Sequence, residues 1–235
     1  MRSPSESPLT QGLRAARATA PAGALLLSVA LAILLGYHYV PPVTRALDRL
    51  AEIKTTAGLI FPIISTALFG AVIPICMQQA LPSTREPGVW GRMPFLTLLW
   101  AFKGIEVDLL YRGEAYIIGD NAQPLTIITK VAFDQFVYCP LWAVPTVVLA
   151  YALPDVGYSL RRLRSNMGPQ WYRRRVIPLL LANWFVWVPA VAVIYCLKQP
   201  LQLPIQNLVL CLWAILVMLL VHKPMQHPRD MLDAE

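Results

Sequence analysis

The stretch Ala22-Gly-Ala-Leu-Leu-Leu-Ser-Val-Ala-Leu-Ala-Ile-Leu-Leu-Gly-Tyr-His-Tyr-Val40 runs for nineteen residues without Asp, Glu, Lys or Arg. At about 1.5 Å of rise per residue it nearly matches a hydrocarbon core of about 30 Å. The apolar core of a signal peptide is shorter, about 7–15 residues, and ends in a small-residue cleavage site. The stretch therefore reads as an uncleaved membrane anchor helix. Residues 1–21 before it are polar, carry Arg2, Arg14 and Arg17, and read as a disordered basic tail.

Working outward, Pro41-Pro42 closes the first span, Arg45, Asp48, Arg49, Glu52 and Lys54 read as a short charged loop that sets residues 22–53 apart from the bundle, and residues 112–123 read as a polar, turn-rich loop. Further apolar runs follow at about Thr56–Leu81, Pro94–Tyr111, Pro124–Leu153, Val176–Leu197 and Leu203–Val221. Prolines inside them, such as Pro62, Pro74 and Pro189, are tolerated in membranes because neighbours re-satisfy the freed backbone groups. Pro189 is expected to kink its span and free a carbonyl near Phe185 that could line a cavity. The fold class expected is all-α, a multi-pass transmembrane bundle of five or six spans. Residues 54–222 form the bundle proper, and 223–235 form a polar C-terminal tail.

Composition supports this. Of 235 residues, 57% are hydrophobic and 14% charged. Soluble domains carry roughly a quarter charged residues, so too few polar groups remain here to cover a water-facing surface. The net charge is +7 and the pI about 9.4. The basic residues sit in the gaps between apolar runs, which points to anionic lipid headgroups and not to nucleic acid. With six spans and the N-terminus inside, thirteen Lys and Arg fall on inside segments and five outside. Both termini are thus expected inside.

Cys76, Cys139, Cys196 and Cys211 lie in apolar runs without metal-ligand spacing, and the three histidines do not join them. No metal or cofactor is expected. Nucleophile elbows, phosphate loops and His-x-x-x-His pairs are missing, so an enzyme is not expected.

Ionisable groups at membrane depth cost about 2.5–3.5 kcal/mol on insertion scales and need partners. Lys103 and Glu106 are spaced i,i+3, and Lys130 and Asp134 i,i+4, so each pair is expected to neutralise itself on one helix face. Tyr138 extends the stripe of Asp134. Asp108 has no local cation in this reading and shares a face with Gly104 and Tyr111. Gln135 and Asn183 are neutral polar residues in apolar spans. These side chains form either a polar path for a solute or protons, or the bonds that hold helices together.

The segment Lys130-Val-Ala-Phe-Asp134-Gln135-Phe-Val-Tyr-Cys-Pro140 resembles the Lys…Asp-Gln…Pro signature of the Mpv17/PMP22 family of small membrane proteins. Gly104 and Tyr111, Asn183-Trp184-Phe-Val-Trp187-Val-Pro189, and the Asn207…Trp213 pair keep that family's order. The resemblance covers about residues 54–222 and makes the first span an addition. Ile105, Asp108 and Leu110 depart from the pattern, as do the extra Val188, Pro204 in place of an arginine, and Gly70-Ala71 where the family has Gly-Asp. They mark a distant branch.

What the resemblance implies is a channel-like or transport-related protein for small solutes, with Asp134, Gln135, Pro140, Asn183, Trp187 and Pro189 as the matched positions. The alternative is a structural or regulatory membrane protein whose polar residues only hold the bundle. A homo-oligomer fits either. The expected location is a bacterial plasma membrane or an organelle membrane, mitochondrial inner or peroxisomal.

Overall fold

A computed structural model describes residues 8–221. Among the described residues the chain is helical and has no strand. We number the helices α1 (Pro8–Tyr39), α2 (Pro41–Ala57), α3 (Ile60–Ala80), α4 (Val89–Ile117), α5 (Pro124–Val156), α6 (Leu160–Asn166), α7 (Tyr172–Ile194) and α8 (Gln199–Val221).

Four stretches are long and apolar enough to cross a membrane: Arg17–Tyr39 of α1, and all of α3, α5 and α7. The outward side chains agree. Ile60, Ile64 and Leu68 form an exposed stripe on α3, and Leu125, Ile128 and Leu141 project from α5. Exposed aliphatic rows of this kind suit lipid, not water.

Several boundaries differ from the sequence reading. Helix α1 begins at Pro8, inside the segment expected to be disordered; Met1–Ser7 and the C-terminal tail lie outside the described residues. The expected loop before residue 54 is helix α2. Extended Val40 precedes it, and Pro41 and Pro42 occupy its first positions, where a missing N–H costs nothing. Gly58 ends it at φ 56. Helix α4 runs past Tyr111 to Ile117, absorbing part of an expected polar loop.

Prolines act through wide turns. Leu68–Val72 form a π-turn just before Pro74, Tyr172–Val176 just before Pro178, and the π-segment Asp134–Ala143 contains Pro140. Proline lacks an N–H and clashes with the carbonyl four residues back, so the chain opens into a π-turn there. At Pro189 no such turn occurs. The α-helix continues from Ile177 to Ile194, and Phe185 is exposed on the outer surface, so the expected cavity lining is not found.

The core lies between α1, α7 and α8, around Leu26, Val186, Ile194, Leu201 and Val209. Helix α1 runs parallel to α7: Gly23 abuts Val186 near one end, and Tyr37 lies against Lys198 near the other. Helix α3 packs closely on α4 at Gly104, where an added Cβ would sit 2.2 Å from the Pro62 carbonyl oxygen and 2.7 Å from Thr66 Oγ1. Backbone cannot yield there as a side chain can. Gly104→Ala is therefore expected to destabilise the folded protein by about 1–3 kcal/mol, read as thermal unfolding in detergent. Beside that contact Asn207 of α8 donates to Ser65 Oγ and Thr66 Oγ1, both at 3.0 Å, which ties α8 to α3.

Candidate functional site

Helix α4 carries Arg92, Lys103, Glu106, Asp108, Arg112 and Glu114, and they divide between two faces. Arg92, Lys103 and Glu114 are eleven residues apart, close to three turns at about 3.6 residues per turn, and so share one face. Glu106 lies beside Lys103. Gly104, Asp108 and Tyr111 occupy the neighbouring face, as their spacing predicts.

The first face meets α5, which runs antiparallel to α4. Arg92 Nη2 lies 3.1 Å from Asp155 Oδ1. Trp100 Nε1 donates to the Tyr151 hydroxyl at 3.0 Å. Lys103 Nζ is 2.8 Å from Glu106 Oε1, the expected pair, and donates to Thr146 Oγ1 at 2.7 Å. The Tyr138 hydroxyl donates to Glu106. Last comes Glu114, joined to Asp134 through the hydroxyl of Tyr195, at 2.6 Å and 3.3 Å respectively. These links form a polar seam that joins the two helices along their length. The two backbones stand apart over most of it, and long polar side chains span the gap. Helix α5 is also the least buried of the four spanning helices.

The π-segment that starts at Asp134 sets the α5 side of the seam. Opening the helix rotates the residues after it, so Tyr138 turns to Glu106 while Asp134 stays with Tyr195. Tyr138 thus leaves the stripe it was expected to share with Asp134. The Cys139 thiol donates to Asp134 Oδ1 at 3.7 Å. The Gln135 backbone carbonyl accepts from Trp184 Nε1 at 2.6 Å, fixing α5 to α7.

The expected Lys130–Asp134 ion pair does not form. Lys130 is buried with its ammonium 5.5 Å from the centroid of the Tyr195 ring, a cation–π contact. Asp134 turns instead to Tyr195 and Cys139. Spacing of i,i+4 permits the pair, and the helix is still regular from Lys130 to Asp134, but Tyr195 takes both side chains, Lys130 over its ring and Asp134 at its hydroxyl.

Asp108 is the second correction. It has two cations: Lys54 Nζ at 2.9 Å from Oδ1, and Arg112 Nε at 2.7 Å from Oδ2, one helical turn away on its own helix. Asp108 and Lys54 are 0% and 2% exposed, so this carboxylate does not face water. Neither approach has good hydrogen-bond alignment, so charge holds the cluster. It braces α2 against α4. The second expected partner residue, Asn183, is half-buried on α7 and makes no side-chain hydrogen bond among the described residues.

Sequence reasoning missed Lys54, Glu114, Thr146 and Tyr195. Lys54 and Glu114 had been placed in loops. Glu114 lies eleven residues after Lys103 and so continues the face that Lys103 marks, and that continuation was readable. Outside the spans, Asp48 pairs with Lys198 beside Tyr37. The hydrogen bond from Lys198 lowers the Asp48 carboxyl, and the same bond raises the Lys198 ammonium.

Among the described residues no group of His, Cys, Asp and Glu could hold a metal ion. Compared with protein-family models, curated proteins and solved structures, the chain matches none.

Proposed function

We propose that the chain is a channel-like or transport-related membrane protein for small polar solutes, with the α4–α5 seam as its path. The observation that carries this reading is the length of the seam. From Arg92 to Glu114 helix α4 rises about 33 Å at 1.5 Å per residue, and a hydrocarbon core is about 30 Å thick. A polar seam of membrane length, between helices whose backbones stand apart, is more than packing requires. In this reading α4 and α8 supply a fifth and sixth span, since α4 turns its charges inward. The resemblance to the Mpv17/PMP22 family fits the same reading.

The second reading, a structural or regulatory protein, is favoured by one observation, the Lys54–Asp108–Arg112 brace. Its Asp108 and Lys54 are paired and buried, and only Arg112 reaches solvent. We assign that cluster to stability and the seam to transport.

Anionic headgroups are the partner proposed for Arg161, Arg162, Arg164, Arg173, Arg174 and Arg175. All six are exposed on α6 and the start of α7. Positive charge of that density marks the cytoplasmic face. Cysteines introduced at residues 10 and 165 should then label from the same, inner side. Labelling of residue 165 from outside would remove the six-span arrangement.

Cysteine accessibility also tests the path. In a background without native cysteines, Thr146→Cys on the seam should react with a water-soluble, membrane-impermeant thiol reagent. Leu141→Cys, on the outer face of the same helix, should not. Equal protection of both would argue for a dry, structural seam.

A further inference from the structure

The end of the seam at Glu114 is short of hydrogen-bond donors, and the shortage can be counted. Glu114 is 3% exposed and Asp134 is 5% exposed, so neither carboxylate can turn to bulk water. One proton, on the Tyr195 hydroxyl, faces both: Glu114 Oε2 at 2.6 Å and Asp134 Oδ2 at 3.3 Å. A hydroxyl has one hydrogen and cannot satisfy two acceptors fully. The Gln135 amide also donates to Asp134, but Glu114 Oε1 and Gln135 Oε1 have no partner among the described residues, so Glu114 is left with the shared Tyr195 proton alone.

The surroundings do not make up the deficit. On α4, the Tyr111 hydroxyl is committed to Gln206 of α8, and Arg112 to Asp108. From α2, Lys54 is likewise committed to Asp108. On α5, the Cys139 thiol reaches Asp134 Oδ1 at 3.7 Å, and Tyr138 is committed to Glu106. Beyond Tyr195 at the end of α7, the Cys196 thiol donates to the Ala192 carbonyl. Lys130 stands over the Tyr195 ring and donates to neither acid. The next charge along the seam's end is exposed Asp120.

Charge tells the same story. With both acids ionised, a buried site would hold two negative charges against the one ammonium of Lys130. Two carboxylates sharing a site do not both ionise readily. One proton on the pair makes the cluster neutral with Lys130 and adds the missing donor.

We propose that Glu114 and Asp134 jointly bind one exchangeable proton, bridged by the Tyr195 hydroxyl, and that this proton is the ion the seam takes up and releases. The proton belongs to the pair, because two coupled acids share their titration. Release breaks one carboxyl O–H bond and passes the proton towards water at the Asp120 end, leaving the pair doubly ionised beside Lys130. The inference deepens the transport reading by naming its ion. Its test reads proton occupancy without flux, so a missing proton and a missing transport activity are separate results.

The test is infrared spectroscopy of the purified full-length protein in detergent. At neutral pH the wild type should show a protonated-carboxyl C=O stretch that shifts down in D2O and vanishes as pH rises. Glu114→Gln and Asp134→Asn should each abolish it, because the remaining acid ionises against Lys130. Tyr195→Phe should keep the band and shift it, since the bridging donor is lost. That variant keeps the test decisive if either acid variant fails to fold. No band in the wild type overturns the proposal. So does a band that survives both acid substitutions, or one that Tyr195→Phe leaves in place. A band displaced by sodium at constant pH would overturn the proton as the ion.

Discussion

Asp108→Asn is expected to lower the stability of the folded protein in detergent by about 3–5 kcal/mol. The reason is Lys54. Its ammonium is 2% exposed and 2.9 Å from the Asp108 carboxylate. Asparagine keeps the shape but removes the charge, leaving a buried cation without compensation. Arg112 is less affected, because its side chain is 47% exposed and can turn to water. Lys54→Met combined with Asp108→Leu removes both charges and should cost much less than Asp108→Asn alone. Breaking a buried pair is costlier than replacing it with apolar residues of similar volume. The check is a double-mutant cycle by thermal unfolding. Additive losses would show that the two groups do not interact.

Lys103→Met should have the next largest effect, about 3 kcal/mol of lost stability, by the same logic on the seam. Lys103 donates to Glu106 and to Thr146 of α5. Without it Glu106 keeps only the Tyr138 hydroxyl and becomes an underpaired acid whose side chain is 13% exposed. Glu106 has a remedy, because it can take up a proton. The Lys103→Met loss should therefore shrink at low pH, where the carboxyl is neutral, while wild-type stability does not improve. Unfolding curves at neutral and acid pH would show it. A pH-independent loss would mean that Lys103 acts through packing alone.

The same two clusters show what was readable from the sequence. Apolar runs alone located the four helices that are long and apolar enough to cross a membrane, since length and lack of charge are local properties. The Lys103–Glu106 pair was readable because both residues sit on one regular stretch of α4. The Lys130–Asp134 pair was not. The helix is regular from Lys130 to Asp134, but Tyr195 draws the ammonium to its ring and the carboxylate to its hydroxyl, and spacing rules see only one helix. Asp108 was misjudged for a different reason. Its strongest partner, Lys54, lies 54 residues away in sequence on a helix that looked like a loop. Its nearer partner, Arg112, was set aside with the polar residues after Tyr111, yet α4 continues through it to Ile117. The seam itself depends on the antiparallel meeting of α4 and α5, which brings Arg92 to Asp155 and Glu114 close to Asp134. Tyr195, which completes that end, enters from just beyond α7. No local pattern announces such a three-helix junction.

In the proposed function the seam serves transport and the brace serves stability. The most direct test is solute and proton flux in reconstituted liposomes, normalised to folded protein, for the wild type, Glu106→Gln and the Lys54→Met/Asp108→Leu double variant. Wild-type flux is expected above that of empty liposomes, with at least a tenfold change in Glu106→Gln and flux per folded molecule in the double variant equal to wild type. Wild-type liposomes as tight as empty ones for every small solute tried, or a seam variant with unaltered flux, would contradict it.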